Sequence, residues 1–90
     1  MKPVKLPIAD ILDLHTFNPR ELTDLLDDYF RACVEAEIYS VRLIHGKGKG
    51  ILGSRVRVVL RQHPLVRSYN PAPPDAGGWG AMLVELQRPE

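Results

Sequence analysis

Three side chains that can move protons follow two short hydrophobic segments. Asp13 and His15 are two residues apart, and His45 lies thirty residues further along the chain. Histidine titrates near neutral pH, so two imidazoles can divide general-base and general-acid duty while a carboxylate orients one ring. The residue types therefore indicate proton-transfer chemistry at a catalytic site formed by Asp13, His15 and His45.

Glycine and a basic residue alternate directly after His45. The run consists of Gly46, Lys47, Gly48, Lys49 and Gly50. Glycines let backbone N–H groups approach an anion, and the helix expected next adds a partial positive charge at its first turn. Arg55, one turn into that helix, could reach a neighbouring phosphate. The run fits neither nucleotide-binding glycine pattern, so it predicts phosphodiester binding without a nucleotide cofactor; a merely flexible turn is the alternative.

Three other residues of chemical interest have structural alternatives. Trp79 stands between glycines and could stack on an unpaired base, or it could cover the core as a lid. Cys33 falls on the apolar stripe of a helix and is expected to be a core residue rather than a nucleophile. His63, beside Pro64, has no partner nearby in sequence and is expected to be structural.

The first element that must position these groups is a strand over residues 11–15. Alternation along a strand puts Asp13 and His15 on one face. Asn18 and Pro19 then supply an N-cap and a first helical residue. Apolar residues at helical spacing follow for more than three turns, with most acids off the stripe. A strand followed by an amphipathic helix is therefore expected.

The rest of the chain continues the alternation of strands and helices. We expect strands over residues 40–44, 66–70 and 81–86, a helix over residues 51–62, and a loop over residues 71–78. The order β-α-β-α-β-β predicts an α/β fold, a two-layer α/β sandwich with a mixed four-stranded sheet and two helices. Its first two strands must be parallel, so their carboxyl ends bring His45 to the same edge as Asp13 and His15.

Length and composition restrict the class of protein. Ninety residues, 44% of them hydrophobic, suffice for one core, and we expect a flexible leader over residues 1–8 and a single domain over residues 9–90. One cysteine excludes an internal disulfide and a cysteine-based zinc site, and it favours a reducing cytoplasm. The longest hydrophobic run, residues 81–84, is far too short to span a membrane.

The net charge of +1 conceals a separation along the chain. Residues 9–37 hold eight acids and two arginines, whereas residues 38–74 hold seven Lys or Arg and no acid. Such asymmetry indicates an anionic partner for the second half. The alternative is that the two halves attract each other within the fold.

Three motifs in one order resemble the Smr (small MutS-related) domain. They are Leu12-Asp13-Leu14-His15, Ile44-His45-Gly46-Lys47-Gly48 and Gly77-Gly78-Trp79-Gly80-Ala81. The resemblance covers roughly residues 9–87. It implies a two-layer α/β sandwich similar to the carboxyl-terminal domain of a bacterial translation initiation factor, and nicking or endonuclease activity on DNA or RNA. It also implies that Asp13, His15, His45, Gly46 and Gly48 form the active-site edge.

Two positions depart from the pattern of that family. Thr16 stands where the family commonly has glycine, and Met82 stands where it commonly has threonine. Neither replaces a proposed acid–base group. The chain has no room for the ATPase and clamp regions of large MutS-like proteins, so a stand-alone domain is expected.

The leading hypothesis is a monomeric nucleic-acid endonuclease, a phosphodiesterase. A divalent ion such as Mg²⁺ or Mn²⁺ could sit on Asp13 and one histidine, although the sequence does not require a metal and lacks the carboxylates of a two-metal nuclease. A non-catalytic nucleic-acid-binding module that docks through the same basic loop is the alternative. A third hypothesis is a protein-interaction domain that uses the acidic face of the first helix.

Overall fold

The computed structural model describes residues 10–46, 51–76 and 78–88. The elements in chain order are β1 (Ile11–Asp13), α1 (Leu22–Glu35), β2 (Ser40–Ile44), α2 (Ile51–Gln62), β3 (Val66–Pro71) and β4 (Ala81–Leu86). The four strands form one sheet in the order β1-β2-β4-β3. β1 is parallel to β2, and β4 is antiparallel to both β2 and β3. The predicted two-layer fold with a mixed sheet and two helices is therefore confirmed.

Both helices cover the same face of the sheet. The crossovers through α1 and α2 each join parallel strands and move in the same direction across the sheet, so the right-handed rule places both helices on one side. The core lies between the layers and joins Leu26, Phe30 and Val56 of the helices to Leu43 and Val84 of the sheet. We call this side of the sheet the helix face and the other side the open face.

Most element boundaries agree with the sequence pattern, and the largest difference is at β1. The strand ends at Asp13 instead of continuing to residue 15. The Asp13 side chain accepts a hydrogen bond from the backbone N–H of His15, which forms a local turn that competes with strand geometry.

The start of α1 also has more local structure than the sequence indicated. Asn18 caps a single 3₁₀ turn, Pro19–Glu21, by accepting from the N–H of Arg20 at 3.0 Å, and α1 begins directly after that turn. The expected loop over residues 71–78 contains another 3₁₀ turn at Pro74–Ala76, and a further one spans Gly78–Gly80. The expected leader over residues 1–8 lies outside the described residues.

Two residues that the sequence singled out, Cys33 and Met82, are buried, and a third, His63, is partly buried. Cys33 is inaccessible, as expected of a core residue, and burial raises the pKa of its thiol, which makes it a poor nucleophile. Met82 is 3% exposed and aligns with Leu43, so it belongs to the core beneath the helices. His63 is structural, as expected, because its ring, with a side chain 6% exposed, bonds to Asp27.

Candidate active site

Asp13 and His15 form a hydrogen-bonded pair at the carboxyl end of β1. One carboxylate oxygen of Asp13 accepts from the backbone N–H of His15 at 3.0 Å and also contacts Nδ1 of its ring. The side chains are 50% and 60% exposed respectively. The sequence prediction that these two groups meet is therefore confirmed, and the pair is open to solvent.

The contact with Asp13 determines which nitrogen of the His15 ring carries the proton. A carboxylate only accepts, so Nδ1 of His15 carries the proton in this contact, and Nε2 of the neutral ring retains its lone pair. The side-chain hydrogen bond from His15 lowers the pKa of Asp13 below its ordinary value of 3.8, with the backbone hydrogen bond acting in the same direction. Asp13 is therefore anionic at neutral pH, and it orients the ring of His15.

His45 lies at the same edge but inside the molecule. The residue is 8% exposed, and its Nδ1 donates to the carbonyl of Gly46 at 2.9 Å. Nε2 is buried and has no hydrogen-bond partner among the described residues. Burial is the main influence on this ring and lowers its pKa from 6.5. His45 is therefore held neutral in one tautomer.

The two imidazoles differ in their surroundings. Asp13 aligns with Ile44, and the N–H of Leu14 donates to the carbonyl of Ile44 at 2.7 Å, so His45 continues the side occupied by buried Leu14. Asp13 points to the open face instead, and His15 bonds to it. The strand ends meet as expected, but the His45 ring is buried whereas the His15 ring is exposed, so a shared cluster of the two rings stays a prediction.

Gly46 stands between the two rings. Its φ is +84°, and a Cβ added there would lie 4.0 Å from the Cβ of His15. The backbone N–H groups of His45 and Gly46 both donate to the carbonyl of Gly80 at 2.9 Å. This double hydrogen bond ties the end of β2 to the turn before β4. The third motif of the sequence therefore contacts the second through its backbone.

The remaining predicted phosphate-binding residues are only partly described. Lys47, Gly48, Lys49 and Gly50 lie outside the described residues, and so does the side chain of Trp79. Arg55 is exposed on α2, on the turn after the helix begins. The backbone therefore places β2 and the start of α2 on either side of the predicted anion-binding loop.

Gly53 is a site residue that the sequence analysis did not identify. It is buried on α2, and a Cβ at this position would lie 3.0 Å from both Cε1 and Nδ1 of His45. A glycine inside a helical pattern is itself a signal of close packing. Because Gly53 has no side chain, the His45 ring can pack directly against the backbone of the helix.

Metal binding and membrane insertion receive no support from the described part of the chain. Among residues 10–46, 51–76 and 78–88, no three His, Cys, Asp or Glu side chains are grouped closely enough to hold a metal ion. Neither helix there combines the length and the apolar character needed to cross a bilayer.

The fold and the strand-end motifs together match one family. The family model of the Smr domain matches residues 12–87 of the sequence, and the chain therefore belongs to the Smr domain family. The chain is similar to the endonuclease MutS2 of Thermomicrobium roseum, with 40% identity over 76 residues. It is similar also to the ribosome rescue factor SmrB of Shewanella baltica, with 38% identity over 74 residues. These matches take in 84% and 82% of this chain, but only 10% of MutS2 and 42% of SmrB.

Two solved structures share the fold. The Smr domain of Thermus thermophilus MutS2 superposes with a TM-score of 0.81 at 32% identity, over 86% of this chain and 96% of that chain. YdaL, a stand-alone small MutS-related protein from Escherichia coli, gives a TM-score of 0.81 at 28% identity, over 93% of this chain and 69% of that chain.

Proposed function

We propose that this protein is an endonuclease that cleaves phosphodiester bonds of nucleic acid, with Asp13 and His15 as its catalytic pair. The observation that carries the proposal is the solvent-exposed, hydrogen-bonded contact between these two side chains at the carboxyl end of β1. Ligands of open α/β sheets bind at such strand ends. The pair also stands next to the segment that leads into α2.

His15 acts as the general base. Its Nε2 takes the proton from the attacking water or hydroxyl group as the new P–O bond forms, and the ring becomes an imidazolium. Asp13 stabilises that cation and keeps Nε2 directed outward. The same ring then returns the proton to the leaving oxygen as the old P–O bond breaks, so one imidazole can serve both steps.

His45 takes a different role from the one that the sequence suggested. Its buried ring cannot exchange protons with a solvent-exposed phosphate, but its Nδ1 holds the carbonyl of Gly46. We assign it as a positioning residue for the turn that faces His15. In this proposal both catalytic side chains, the carboxylate of Asp13 and the imidazole of His15, come from β1 and the turn that follows it.

The scissile phosphate would be held by the glycine–lysine run. Residues 46–50 connect β2 to α2, where unpaired N–H groups and the helix dipole favour an anion. Lys47 and Lys49 would add charge, Arg55 would contact a neighbouring phosphate, and Trp79 would stack on an unpaired base. The acid-free stretch over residues 38–74 supports an anionic substrate.

The relatives support nucleic acid as the substrate class. MutS2 is by name an endonuclease, and SmrB is by name a ribosome rescue factor. Each of the two matches takes in most of this chain. The chain spans less than half of either relative, so the activity of those whole proteins comes here as a proposal. In this proposal the protein acts in the cytoplasm as a monomer.

Cleavage of matched single- and double-stranded DNA and RNA, with and without EDTA, tests the function. His15→Ala should reduce the cleavage rate at least about 100-fold, because it removes the general base. Asp13→Asn should also reduce the rate, since an amide cannot stabilise the imidazolium. Asp24→Asn, an exposed acid on α1, is the matched control and should cleave like the wild type. Equal cleavage by the wild type and His15→Ala would refute the proposal.

Docking without catalysis is the second candidate, and the burial of His45 is the observation in its favour, because it leaves one accessible imidazole at this edge. Under this alternative neither histidine is required. Lys47→Ala combined with Lys49→Ala would remove most affinity, and binding would weaken steeply as salt rises. A protein-interaction domain would instead show no salt-sensitive binding to any of the four nucleic acids.

A further inference from the structure

A groove crosses the open face of the sheet next to the catalytic pair. Its volume is about 360 Å³, within the range of small-ligand sites. The side chains that reach it from this face come from β1, β2 and β4 and from the residue before β1: Asp10, Ile11, Ser40, Arg42, Leu83 and Glu85. Neither helix covers this face in the part of the chain that the structure describes.

The middle of the groove is a row of three aligned residues. Ile11 aligns with Arg42 across the parallel pair, and Arg42 aligns with Leu83 across the antiparallel pair. Ile11 and Leu83 are large apolar side chains that are 41% and 38% exposed. Adjacent strands lie about 4.8 Å apart, so an apolar surface flanks the arginine on both sides. A flat apolar ligand matches this row.

Two acids and one serine border this row. Asp10 borders the groove beside Ile11, and Glu85 borders it beside Leu83. The hydroxyl of Ser40 donates to Oε2 of Glu85 at 2.6 Å and so fixes that carboxylate. Two carboxylates against one guanidinium disfavour a phosphate here, but they accept hydrogen bonds from amino groups. The charges therefore select an uncharged ligand that carries N–H donors.

The groove lies close to the catalytic pair. Ile11 and Asp13 share the open face and lie two residues apart on β1, a separation of about 7 Å. Asp13 in turn contacts His15. This separation is short enough for a base over Ile11 and Arg42 and a phosphate at His15 to belong to one nucleic-acid strand.

We propose that the groove receives one unpaired nucleobase with an exocyclic amino group, adjacent to the scissile phosphate. The inference rests on the proposed function and deepens it, because it assigns single-stranded nucleic acid as the substrate class. Ile11 and Leu83 contact the faces and edges of the base, and Arg42 stacks on it with the plane of its guanidinium. Glu85 accepts from the amino group.

Duplex nucleic acid does not satisfy this site. A paired base is stacked between its neighbours, and its amino group is already bonded to the opposite strand. Entry into the groove would require unstacking and unpairing, which carries a free-energy cost. A single strand presents the base without that cost.

The test is a binding measurement that does not depend on cleavage. The probes are abasic oligonucleotides that carry one adenine, one cytosine, one thymine or no base, and fluorescence anisotropy gives their Kd with the His15→Ala protein. We expect adenine and cytosine to tighten binding about tenfold over the fully abasic strand, as one base stack does. Thymine should gain less, because a carbonyl replaces the amino group at the position that faces Glu85.

Leu83→Glu and Val58→Glu form a matched pair of variants. Each puts the same charge at an exposed apolar position, but Val58, 44% exposed, is on α2. Leu83→Glu should abolish the gain from adenine, whereas Val58→Glu should retain it. An equal Kd for all four probes, or equal loss in the two variants, would overturn the groove assignment.

The two proposals fail in different ways. If no nucleic acid is cleaved but adenine still tightens binding through Leu83, the proposed endonuclease activity is wrong and the base site stands. If strands are cleaved through His15 but duplex and abasic strands are cut as fast as intact single strands, the base site is wrong and the activity stands.

Discussion

The ring of His45 lies directly beneath the backbone of Gly53. A Cβ on Gly53 would come within 3.0 Å of two ring atoms of His45, a distance at which the ring must move. The ring is also tied to the carbonyl of Gly46 through Nδ1 at 2.9 Å. Helix α2 and the turn that faces His15 are therefore coupled through one buried side chain.

Gly53→Ala should destabilise the protein in spite of the higher helix propensity of alanine. Overpacking of a buried site costs about 1–3 kcal/mol, whereas alanine gains at most about 1 kcal/mol inside a helix. We expect a net loss of about 1 kcal/mol in the free energy of unfolding, measured by urea denaturation.

His45→Ala supplies the control for that measurement. Once the imidazole is gone, the methyl group that Gly53→Ala introduces has no ring to displace, so this substitution should be neutral or stabilising in the His45→Ala background. If Gly53→Ala costs the same free energy with and without the ring of His45, the contact does not limit the packing of α2.

The buried state of His45 predicts a loss of stability in weak acid. Burial is the largest cause of the lowered pKa of His45 and outweighs the hydrogen bond to Gly46, which acts in the opposite direction. The unfolded chain then binds a proton near pH 6.5 that the folded chain does not bind. The buried, neutral His45 therefore makes its full contribution to the free energy of unfolding above pH 6.5, and this contribution decreases as the pH falls below 6.5.

His45→Asn tests this dependence, because its amide can donate to Gly46 but does not titrate. The free energy of unfolding of this variant should change less than that of the wild type just below pH 6.5. Asp13 and Asp27, whose pKa values lie below 3.8, act only in stronger acid. Parallel curves for the two proteins between neutral pH and about pH 5 would contradict the prediction.

A second His–Asp contact should matter for stability and not for activity. Nε2 of His63 donates to Asp27 at 2.9 Å, its Nδ1 accepts from the N–H of Leu65 at 3.1 Å, and its ring lies edge-on to Phe30 at 5.1 Å. His63→Ala removes both hydrogen bonds inside the molecule and should cost about 2 kcal/mol in the free energy of unfolding.

Arg31→Ala is the matched comparison at the same carboxylate. Arg31 donates to Asp27 from the next helical turn, with a side chain 65% exposed. Exposed pairs of this spacing contribute only about 0.3–0.5 kcal/mol. If the two variants lose equal stability in thermal denaturation, the His63 contact is no stronger than a surface ion pair.

Glu37→Gly should stabilise the end of α1. Glu37 has φ +61°, while the N–H of Ile38 donates to the carbonyl of Cys33 at 2.8 Å, the arrangement in which glycine is favoured after a helix. We expect a gain of about 0.5–1 kcal/mol, or a melting temperature higher by about 4 °C.

Ala36→Gly provides the control for Glu37→Gly. Ala36 has φ −88°, where glycine brings no relief of strain and only adds freedom to the unfolded chain. Its melting temperature should fall. A lower melting temperature for Glu37→Gly as well would show that the left-handed position carries no strain.

The amino-acid pattern was sufficient for the secondary structure wherever periodicity was strong. The Asn18 cap, the apolar stripe of α1 and the bounds of β2, α2 and β4 all follow from local signals. The same pattern did not show that β1 stops at Asp13, because the responsible hydrogen bond depends on how that side chain folds back.

The sequence also predicted which residues meet at the strand ends, but not which of them reach solvent. Adjacent parallel strands require Asp13, His15 and His45 to share an edge, whatever the details of packing. Their difference in exposure depends on register: Asp13 aligns with Ile44, so His45, the residue after β2, points to the opposite side from Asp13, under Gly53 of α2.

The sequence by itself determined the order of elements, the apolar stripe of α1 and the contact between Asp13 and His15, since all of these depend on local spacing. The tertiary structure alone decided that His45 is buried and that the N–H groups of His45 and Gly46 donate to the carbonyl of Gly80. It also decided that Ile11, Arg42 and Leu83 form one row across the sheet. Those relationships join residues that are far apart in the chain, and only the pairing of strands and the packing of α2 bring them together.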